Sequence, residues 1–281
     1  MQLETITPLI LTYNEAPNLD RTLAQLTWAT TIVVIDSYST DATLDILQHY
    51  PQIKLFQRPF DSFAEQWNFG LSKIASDWVL SLDADYVLSD ELVAEIKTLP
   101  DHAPTHVPNH ASDHVSDHVP DHAPNDIRGN GDRVNGYSAR FKYCVFGKPL
   151  RGTLLPPRQV LYRRIYAAYY NDGHTQRVRI DGTVCALSGS IYHDDRKPLS
   201  RWLGAQDRYM VLEVQKLRKT PVRELSWGDR LRKQTVLAPV VILLYCLILK
   251  GGILDGKVGW YYAMQRTLAE ILLAIRLIGD E

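Results

Sequence analysis

The sequence predicts an α/β fold with a mostly parallel central sheet and a C-terminal helical appendage. Three observations predict it. The first hundred residues alternate short apolar runs with amphipathic segments, which is typical of strands and helices that take turns along a chain. Three of the apolar runs end in polar or acidic residues, as strands that lead into a ligand site do. The last third is rich in apolar residues and is interrupted by Gly251 and Gly252.

The elements follow in order along the chain. Apolar runs predict strands at residues 6–12, 31–35, 53–57 and 78–82. The segments that follow predict helices at residues 18–26, 43–48, 63–74 and 90–99, the last with Ser89 as its N-cap. Strands that alternate with helices form βαβ units, so the sheet should be parallel here. Further strands are predicted at residues 136–143 and 159–163, and a basic helix at residues 199–219.

Two aspartates follow the fourth predicted strand. Asp83 and Asp85 are two residues apart, so on extended backbone their carboxylates project to one side and could share a divalent cation, Mg²⁺ or Mn²⁺. A pair of aspartates after a strand also suits an ordinary turn. The loops at residues 12–15 and 36–41 are polar as well, and the carboxyl ends of parallel strands meet at one edge of a sheet. This convergence favours a ligand site.

The composition excludes several classes of protein. The 281 residues, 45% of them hydrophobic, are enough for one substantial core and an appendage. The three cysteines lack the paired spacing of a disulfide framework or a zinc ribbon. The N-terminus carries no secretory signal, which predicts an intracellular protein. Residues 196–233 hold eleven Lys or Arg against four Asp or Glu, but they lie beside apolar segments and contain no recognition motif, so nucleic-acid binding is not expected.

A tetrapeptide repeat occupies residues 101–124 and holds six of the nine histidines. Proline and polar residues at this density cannot build a packed core, which predicts a disordered insert at about residues 100–133. Expansion of a tolerated surface loop explains the repeat. Metal capture by the histidines is the alternative, although the prolines prevent a helix that would hold them on one face.

The C-terminal third is expected to associate with a membrane. The apolar run at residues 236–249 is shorter than the roughly 20 residues that span a bilayer. Basic and aromatic residues flank this run and the helix predicted at residues 260–278, as in segments that lie in the membrane interface. A helical hairpin buried against the protein's own core is the alternative.

Five segments together resemble family 2 glycosyltransferases, which have a GT-A fold. They are TYNE at 12–15, IVVIDSYSTDAT at 32–43, DWVLSLDADYVLSDEL at 77–92, HDDRKPLSRWL at 193–203 and LKGGILDGKVGWYYA at 249–263. The last two are similar to the branch of lipopolysaccharide-core β-1,4-glucosyltransferases. The resemblance covers nearly the whole chain apart from the repeat and implies a Rossmann-like GT-A domain.

The resemblance implies a donor site. Thr12, Tyr13, Asn14 and Glu15 would line the nucleotide pocket, with Tyr13 near the base, and Asp36 would contact the base or the ribose. Asp83 and Asp85 would form the DXD motif and hold Mg²⁺ or Mn²⁺ against the donor diphosphate, whose developing charge needs a Lewis acid.

The resemblance also implies a general base that deprotonates the acceptor hydroxyl. Asp172 is the first candidate, followed by Asp181 and Asp194. His174 or His193 would complete the metal shell or touch the diphosphate, while a structural role for either stays open. The candidates for phosphate contacts are Arg177, Arg196 and Arg201.

These observations predict a metal-dependent inverting glycosyltransferase. It would move a sugar from a nucleotide-sugar donor, expected to be UDP-linked, to a lipid-linked or cell-envelope glycan at the cytoplasmic face of the cell membrane, as a peripheral or monotopic protein. The GT-A domain is expected at residues 1–220, and the membrane-associated segment at residues 221–281. The alternatives are a non-catalytic nucleotide-sugar-binding module and a nucleotidyltransferase, although the latter normally shows a Gly-rich phosphate loop that residues 9–15 lack.

Overall fold

The computed structural model describes residues 1–100, 134–172 and 175–279. The predicted insert at about 100–133 therefore lies, apart from its first residue, outside the described part of the chain, and so does His174.

The first hundred residues form the predicted alternation. The strands are β1 (Ile6–Thr12), β2 (Ile32–Asp36), β3 (Ile53–Gln57), β4 (Trp78–Asp83) and β5 (Tyr86–Leu88), and the helices are α1 (Ala16–Ala24), α2 (Thr43–Gln48), α3 (Phe63–Ser72) and α4 (Asp90–Thr98). All predicted boundaries here agree to within two residues. Ser89 caps α4 as predicted, because its hydroxyl accepts a hydrogen bond from the backbone N–H of Leu92. The three-residue strand β5 was not predicted.

The second half adds six strands and four α-helices among the described residues. They are β6 (Val134–Val145), β7 (Lys148–Pro149), β8 (Arg158–Arg163), β9 (Ala167–Asp172), β10 (Thr175–Ile180), β11 (Thr183–His193), α5 (Leu199–Lys219), α6 (Trp227–Arg232), α7 (Leu237–Leu244) and α8 (Lys257–Ile278). A π-helical turn, Tyr245–Leu249, continues α7. The strands near residues 136–143 and 159–163 and the helix at residues 199–219 were predicted, whereas β9, β10 and β11 were not.

The central sheet is mixed, which corrects the prediction of a mostly parallel sheet. Its strand order is β3-β2-β1-β4-β8-β6-β11-β5, with β7 attached to β6. The strands β1 to β4 pair in parallel, and so do β6 and β11, but β8 is antiparallel to both β4 and β6, β7 is antiparallel to β6, and β5 is antiparallel to β11. β4 and β5 are separated by only two residues and yet stand four places apart in this order. The sheet therefore curls back so that β5 and the end of β11 lie beside the end of β4.

Both faces of the sheet are buried. Ile10 and Leu80 belong to the core under α1, α2 and α4, whereas Leu9 and Val79 pack on the opposite face with Trp67 of α3. Strands buried on both sides need continuous apolar sequence instead of alternation, which explains the runs seen in β1, β2 and β4.

The C-terminal helices pack against the end of β6 and the segment that follows β7. Val145 and Leu150 form a cluster with Cys246, Tyr262 and Ala263, so part of this region is buried against the protein's own core. In the part of the chain that the structure describes, no helix has the length and apolar character needed to cross a membrane.

Candidate active site

Polar side chains from five strands and two helices meet where β1, β2 and β4 end. This edge carries the two aspartates after β4, the loops after β1 and β2, and the segment that follows β11. The antiparallel pairing of β5 with β11 places His193 opposite Tyr86 in the ladder, one residue after Asp85. The curl of the sheet thereby brings residues from both halves of the chain to one place.

The two aspartates stand on different backbone. β4 ends at Asp83, and Asp85 lies in the two-residue turn before β5, so the predicted extended arrangement does not continue through both residues. Two hydrogen bonds fix this turn. The Thr22 hydroxyl donates to the Ala84 carbonyl at 2.7 Å, and the Asp194 N–H donates to the Asp85 carbonyl at 3.0 Å.

The buried Asp85 pairs with the half-buried His193. His193 Nε2 lies 3.0 Å from Asp85 Oδ2. Burial alone would raise the pKa of Asp85, but the neighbouring His193 outweighs it and lowers that pKa to about 2. In the same way, Asp85 raises the pKa of His193 against the effect of burial. Asp85 Oδ1 and His193 Nδ1 are both buried, and neither has a hydrogen-bond partner among the described residues.

Asp83 differs from Asp85 in its electrostatic environment. Burial and the charge of Asp85 raise the pKa of Asp83, while Arg158 opposes the rise. The Arg158 guanidinium donates to the Tyr86 hydroxyl at 3.2 Å, and that hydroxyl bonds to Asp83. The pKa values of these two close carboxylates shift in opposite directions, so the positive groups of the protein stabilise the charged form of Asp85 but not fully that of Asp83.

Glu15 and Lys197 form a second pair beside the first. Lys197 Nζ lies 2.7 Å from Glu15 Oε1 and 3.8 Å from Asp195 Oδ1. Burial raises the pKa of Glu15 to about 7, although Lys197 acts in the opposite direction. Asn18 holds the arrangement together by donating to both Glu15 and Asp195, at 2.9 and 3.0 Å.

The loop after β1 is held in an unusual conformation. Asn14 has a φ of 55°, and its side-chain oxygen accepts a hydrogen bond from Thr40 N at 2.6 Å. Asn is among the residues that tolerate this left-handed region. Arg201 of α5 donates to the carbonyls of Asn14 and Tyr13, at 2.7 and 2.6 Å. Arg201 therefore positions the loop instead of standing free for a phosphate.

Asp36 is a buried residue that supports the loops of the site. It is fully buried, and its carboxylate accepts hydrogen bonds from Thr12, Gln57 and the Ser39 backbone at 3.0, 3.1 and 2.9 Å. Asp36 therefore holds the ends of β1 and β3 and the loop after β2 together, and its contact with the base or ribose stays a prediction. The exposed rings of Tyr13 and Tyr38, each about half accessible, are the groups that the two loops present to solvent.

The predicted base candidates occupy different places. Asp181 N donates to the Tyr166 carbonyl, and Arg164 N, two residues before Tyr166, donates to the Asp77 carbonyl. Asp77 directly precedes β4, whereas Asp83 ends it. Asp181 therefore lies at the opposite edge of the sheet from Asp83. Its side chain is exposed and pairs with Arg179. This placement corrects its assignment as a catalytic residue, because a general base must reach the reacting hydroxyl.

The end of β9 lies at the same edge of the central sheet as Asp83. Asn171 Oδ1 accepts a hydrogen bond from Ala64 N, in the first turn of α3, and Asp172 follows as the last residue of β9. The Asp172 side chain and all of His174 are outside what the structure describes. Arg177 is exposed on β10, where it pairs in register with Tyr170.

Asp194 is held by two arginines. Its Oδ2 lies 3.2 Å from Arg21 Nε and 2.8 Å from Arg196 Nη2. The Asp194 carboxylate and the Nε and Nη2 donors of Arg196 are therefore engaged with each other inside the protein.

Sequence reasoning missed Lys197, Asn18 and Asp195 as site residues. Lys197 and Asp195 lie in the HDDRKPLSRWL segment, which was a usable signal, but their partner Glu15 is about 180 residues away. Among the described residues, no group of three or more His, Cys, Asp or Glu side chains is arranged to hold a metal ion by itself.

Comparisons with known proteins agree with this geometry. Residues 9–139 match the family model of glycosyl transferase family 2. An uncharacterized glycosyltransferase of Rickettsia felis is 34% identical over 96 residues, which are 34% of each chain. The lipopolysaccharide core biosynthesis glycosyltransferase LpsC of Rhizobium meliloti is 29% identical over 103 residues, 34% of this chain and 38% of that one. The matched stretches thus span about a third of these curated relatives.

One solved structure has the same fold over nearly the whole chain. The mannosyltransferase PcManGT of Pyrobaculum calidifontis, in complex with GDP-Man and Mn²⁺, superposes with a TM-score of 0.51 at 14% identity. The alignment covers 99% of this chain and 88% of that one, and establishes a GT-A-like architecture.

Proposed function

We propose, from the match of residues 9–139 to glycosyl transferase family 2, that this chain is a metal-dependent inverting glycosyltransferase. It transfers a sugar from a nucleotide-sugar donor, UDP-linked in our proposal, to a hydroxyl of a lipid-linked or cell-envelope glycan. The observation that carries the proposal is the meeting of Asp83, Asp85 and His193 with the Glu15–Lys197 pair at one edge of the sheet.

The residues present fit Mg²⁺ or Mn²⁺. Asp83 and Asp85 would hold the ion, because carboxylate oxygens suit such cations and the buried Asp85 Oδ1 lacks a hydrogen-bond partner among the described residues. Donor diphosphate oxygens would complete the shell, since two carboxylates leave most of it open. A similarly folded mannosyltransferase contains GDP-Man and Mn²⁺. When bound, such an ion stabilises the negative charge that develops on the leaving diphosphate.

The protein's own residues bind and orient the donor. The Tyr13 and Tyr38 rings flank the nucleotide, on loops that Arg201 and the buried Asp36 hold in place. Lys197 lies close enough to Asp85 to influence it electrostatically, so its ammonium group can meet the diphosphate beside the aspartates.

We propose Asp172 as the general base. It ends β9 at the edge of the sheet that holds the other site residues, whereas Asp181 is remote and Asp194 is paired with two arginines. His174, two residues further on, would contact the diphosphate or the acceptor. Replacing Asp172 by Asn should abolish transfer while leaving nucleotide affinity unchanged, and retained transfer would remove it from the mechanism.

We propose that the protein acts at a membrane surface. Of the 27 large apolar side chains exposed in the described part of the chain, 16 lie between residues 227 and 278, which is a concentration that water does not favour. Trp227, Leu249 and Leu254 are each more than two-thirds exposed, and the exposed basic residues Lys233 and Lys257 lie in the same stretch of the chain. This combination suits the interface of an anionic bilayer.

Vesicle sedimentation tests the membrane proposal. The protein should bind vesicles of phosphatidylcholine with phosphatidylglycerol, and Leu249→Ser with Leu254→Ser should release it, because both side chains are exposed and their loss leaves the fold intact. Phe60→Ser, at an exposed ring outside this region, is the control. Equal binding by all variants would contradict the proposal.

Calorimetric titration tests the donor site. UDP, GDP and dTDP are each titrated with and without Mn²⁺ into the detergent-solubilised chain. We expect tight binding of one nucleotide, dependent on Mn²⁺ and lost in Asp85→Asn but retained in Asp90→Asn, an exposed change of the same size. Donor consumption on addition of acceptor then distinguishes an enzyme from a non-catalytic binding module. Absence of binding for all three nucleotides would contradict the proposed donor site.

A further inference from the structure

A groove of about 320 Å³ opens next to the candidate active site. It lies between the turn that joins β6 to β7, the segment after β11, the start of α5 and the first turns of α8. Four aromatic side chains line it: Tyr143, Phe146, Trp202 and Tyr261. The proposed donor site does not use any of these four rings.

The groove shares a wall with the active site. The Tyr143 ring packs against the His193 ring at 4.9 Å between centroids, and His193 contacts Asp85 directly. Asp195 and Lys197, which belong to the charged network around Glu15, also line the groove. A molecule held here would therefore have one end beside the reacting groups.

Phe146 is placed in the groove at a conformational cost. It has a φ of 52° and is followed by Gly147 with a φ of 78°, so both central residues of this two-residue turn are left-handed. Such turns favour Asn-Gly, and a bulky residue there costs on the order of 1 kcal/mol. The Phe146 ring is nevertheless 69% exposed and lies 4.8 Å from the Tyr261 ring. A strained, exposed aromatic residue at the rim points to a role in binding.

The polar side of the groove carries charges of both signs. Arg196, Lys197 and Asp195 line it, and Gln265 adds an uncharged donor and acceptor. The Arg196 guanidinium lies against the turn, because a Cβ at Gly147 would come within 2.7 Å of its Nη2 atom. Asp194 accepts hydrogen bonds from Arg196 Nε and Nη2, which fixes the guanidinium, and an anionic substituent could accept a hydrogen bond from its Nη1.

We infer that this groove is the acceptor subsite, and that it takes a saccharide that carries an anionic group such as a phosphate. The inference rests on the proposed function. Aromatic rings offer flat apolar faces to the C–H faces of a pyranose ring, while the polar side chains bind hydroxyls and the anionic substituent. The acceptor hydroxyl then points past Tyr143 toward Asp85 and the donor.

Ligand-observed NMR on the full chain tests the subsite with defined probes. Glucose 6-phosphate, methyl β-glucoside and inorganic phosphate are each titrated in the presence of saturating nucleotide and Mn²⁺, so that the donor site is filled. The wild type should bind glucose 6-phosphate more tightly than either other probe. Phe146→Asn should weaken the binding of both sugars by about fivefold or more, because it removes the ring.

The variants separate binding from folding. Asn suits the left-handed turn, so Phe146→Asn should keep or raise the melting temperature while it loses the sugar. Arg196→Gln should abolish the preference for glucose 6-phosphate over methyl β-glucoside. Ile165→Asn, a similarly exposed apolar residue at the opposite edge of the sheet, is the matched control and should bind as the wild type does.

Two results would overturn the inference. One is that the wild type and Phe146→Asn bind both sugars equally well. Failure of both proteins to bind the sugars counts as the same result. The other is binding of inorganic phosphate as tight as that of glucose 6-phosphate, which would indicate a simple anion site. The nucleotide titration is a separate measurement. Sugar binding that depends on Phe146 without nucleotide binding would refute the donor site alone, and nucleotide binding without such sugar binding would refute the acceptor subsite alone.

Discussion

His193 Nε2 and Asp85 Oδ2 lie 3.0 Å apart although 108 residues separate them along the chain. The ladder between β5 and β11 makes this contact, since it places His193 opposite Tyr86. A short strand of three residues thereby joins the aspartate turn of the first half to the polar segment of the second.

Replacing His193 by Asn should weaken Mn²⁺-dependent nucleotide binding by about 10- to 100-fold, the range found when a ligand or its supporting partner is removed from a metal site. The physical reason is the loss of the imidazole that faces Asp85. Calorimetry with and without Mn²⁺ measures the effect. His49→Asn, at an exposed position, should leave binding unchanged, and an equal loss in both variants would argue against a specific role.

Arg201→Lys should weaken nucleotide binding by about tenfold, because the compact ammonium of lysine lacks the planar fork with which Arg201 contacts both carbonyls, and the loop after β1 loses an anchor. The measurement is the dissociation constant of the nucleotide. Arg208→Lys, on an exposed part of the same helix, is the control. Unchanged affinity in Arg201→Lys would show that the loop keeps its conformation without the forked contact.

Glu15 predicts a pH dependence of stability. Its folded pKa of about 7 lies above the ordinary value of 4.5, so between these values the folded state binds more protons than the unfolded state. The free energy of unfolding should therefore fall as the pH rises from about 4.5 to 7. Chemical denaturation of Glu15→Gln at pH 5 and pH 8 should show a smaller fall than the wild type. Glu65→Gln, at an exposed carboxylate, should behave as the wild type, and parallel curves for all three would refute the assignment.

Arg232 should be important for stability. Its guanidinium lies 3.1 to 3.3 Å from the buried carboxylates of Glu213, Asp229 and Glu270, and so ties α5, α6 and α8 together. Arg232→Met should lower the free energy of unfolding by about 3 kcal/mol or more, because the carboxylates then lose their main counter-charge. Arg223→Met, at an arginine that is 86% exposed, should change it by less than about 0.5 kcal/mol. A similar small change in Arg232→Met would mean that Lys216, which also reaches this cluster, suffices.

The sequence predicted the parts of the molecule that local patterns determine. The runs of β1, β2 and β4 are apolar because both faces of these strands are buried, and the Ser89 cap follows from one hydroxyl and its neighbours. Strands β5 and β11 were missed because they pair with strands far along the chain, and β5 has only three residues. Strands β9 and β10 pair with each other, but their polar residues leave no apolar run to predict them. Lys197 was missed as a site residue because its partner, Glu15, is distant in sequence. The burial of Asp36 also follows from the fold and not from its neighbours in the chain.

Tyr143 stands between the candidate active site and α8, with its ring 4.9 Å from His193 on one side and 5.0 Å from Tyr262 on the other. A single side chain thus separates the proposed chemistry from the helix that carries much of the exposed apolar surface. With that surface on a bilayer, the enzyme would reach only hydroxyls close to the lipid. The first sugars of a growing glycan are the ones found there, so we expect this protein to act early in the assembly of its product, before the chain extends into solution.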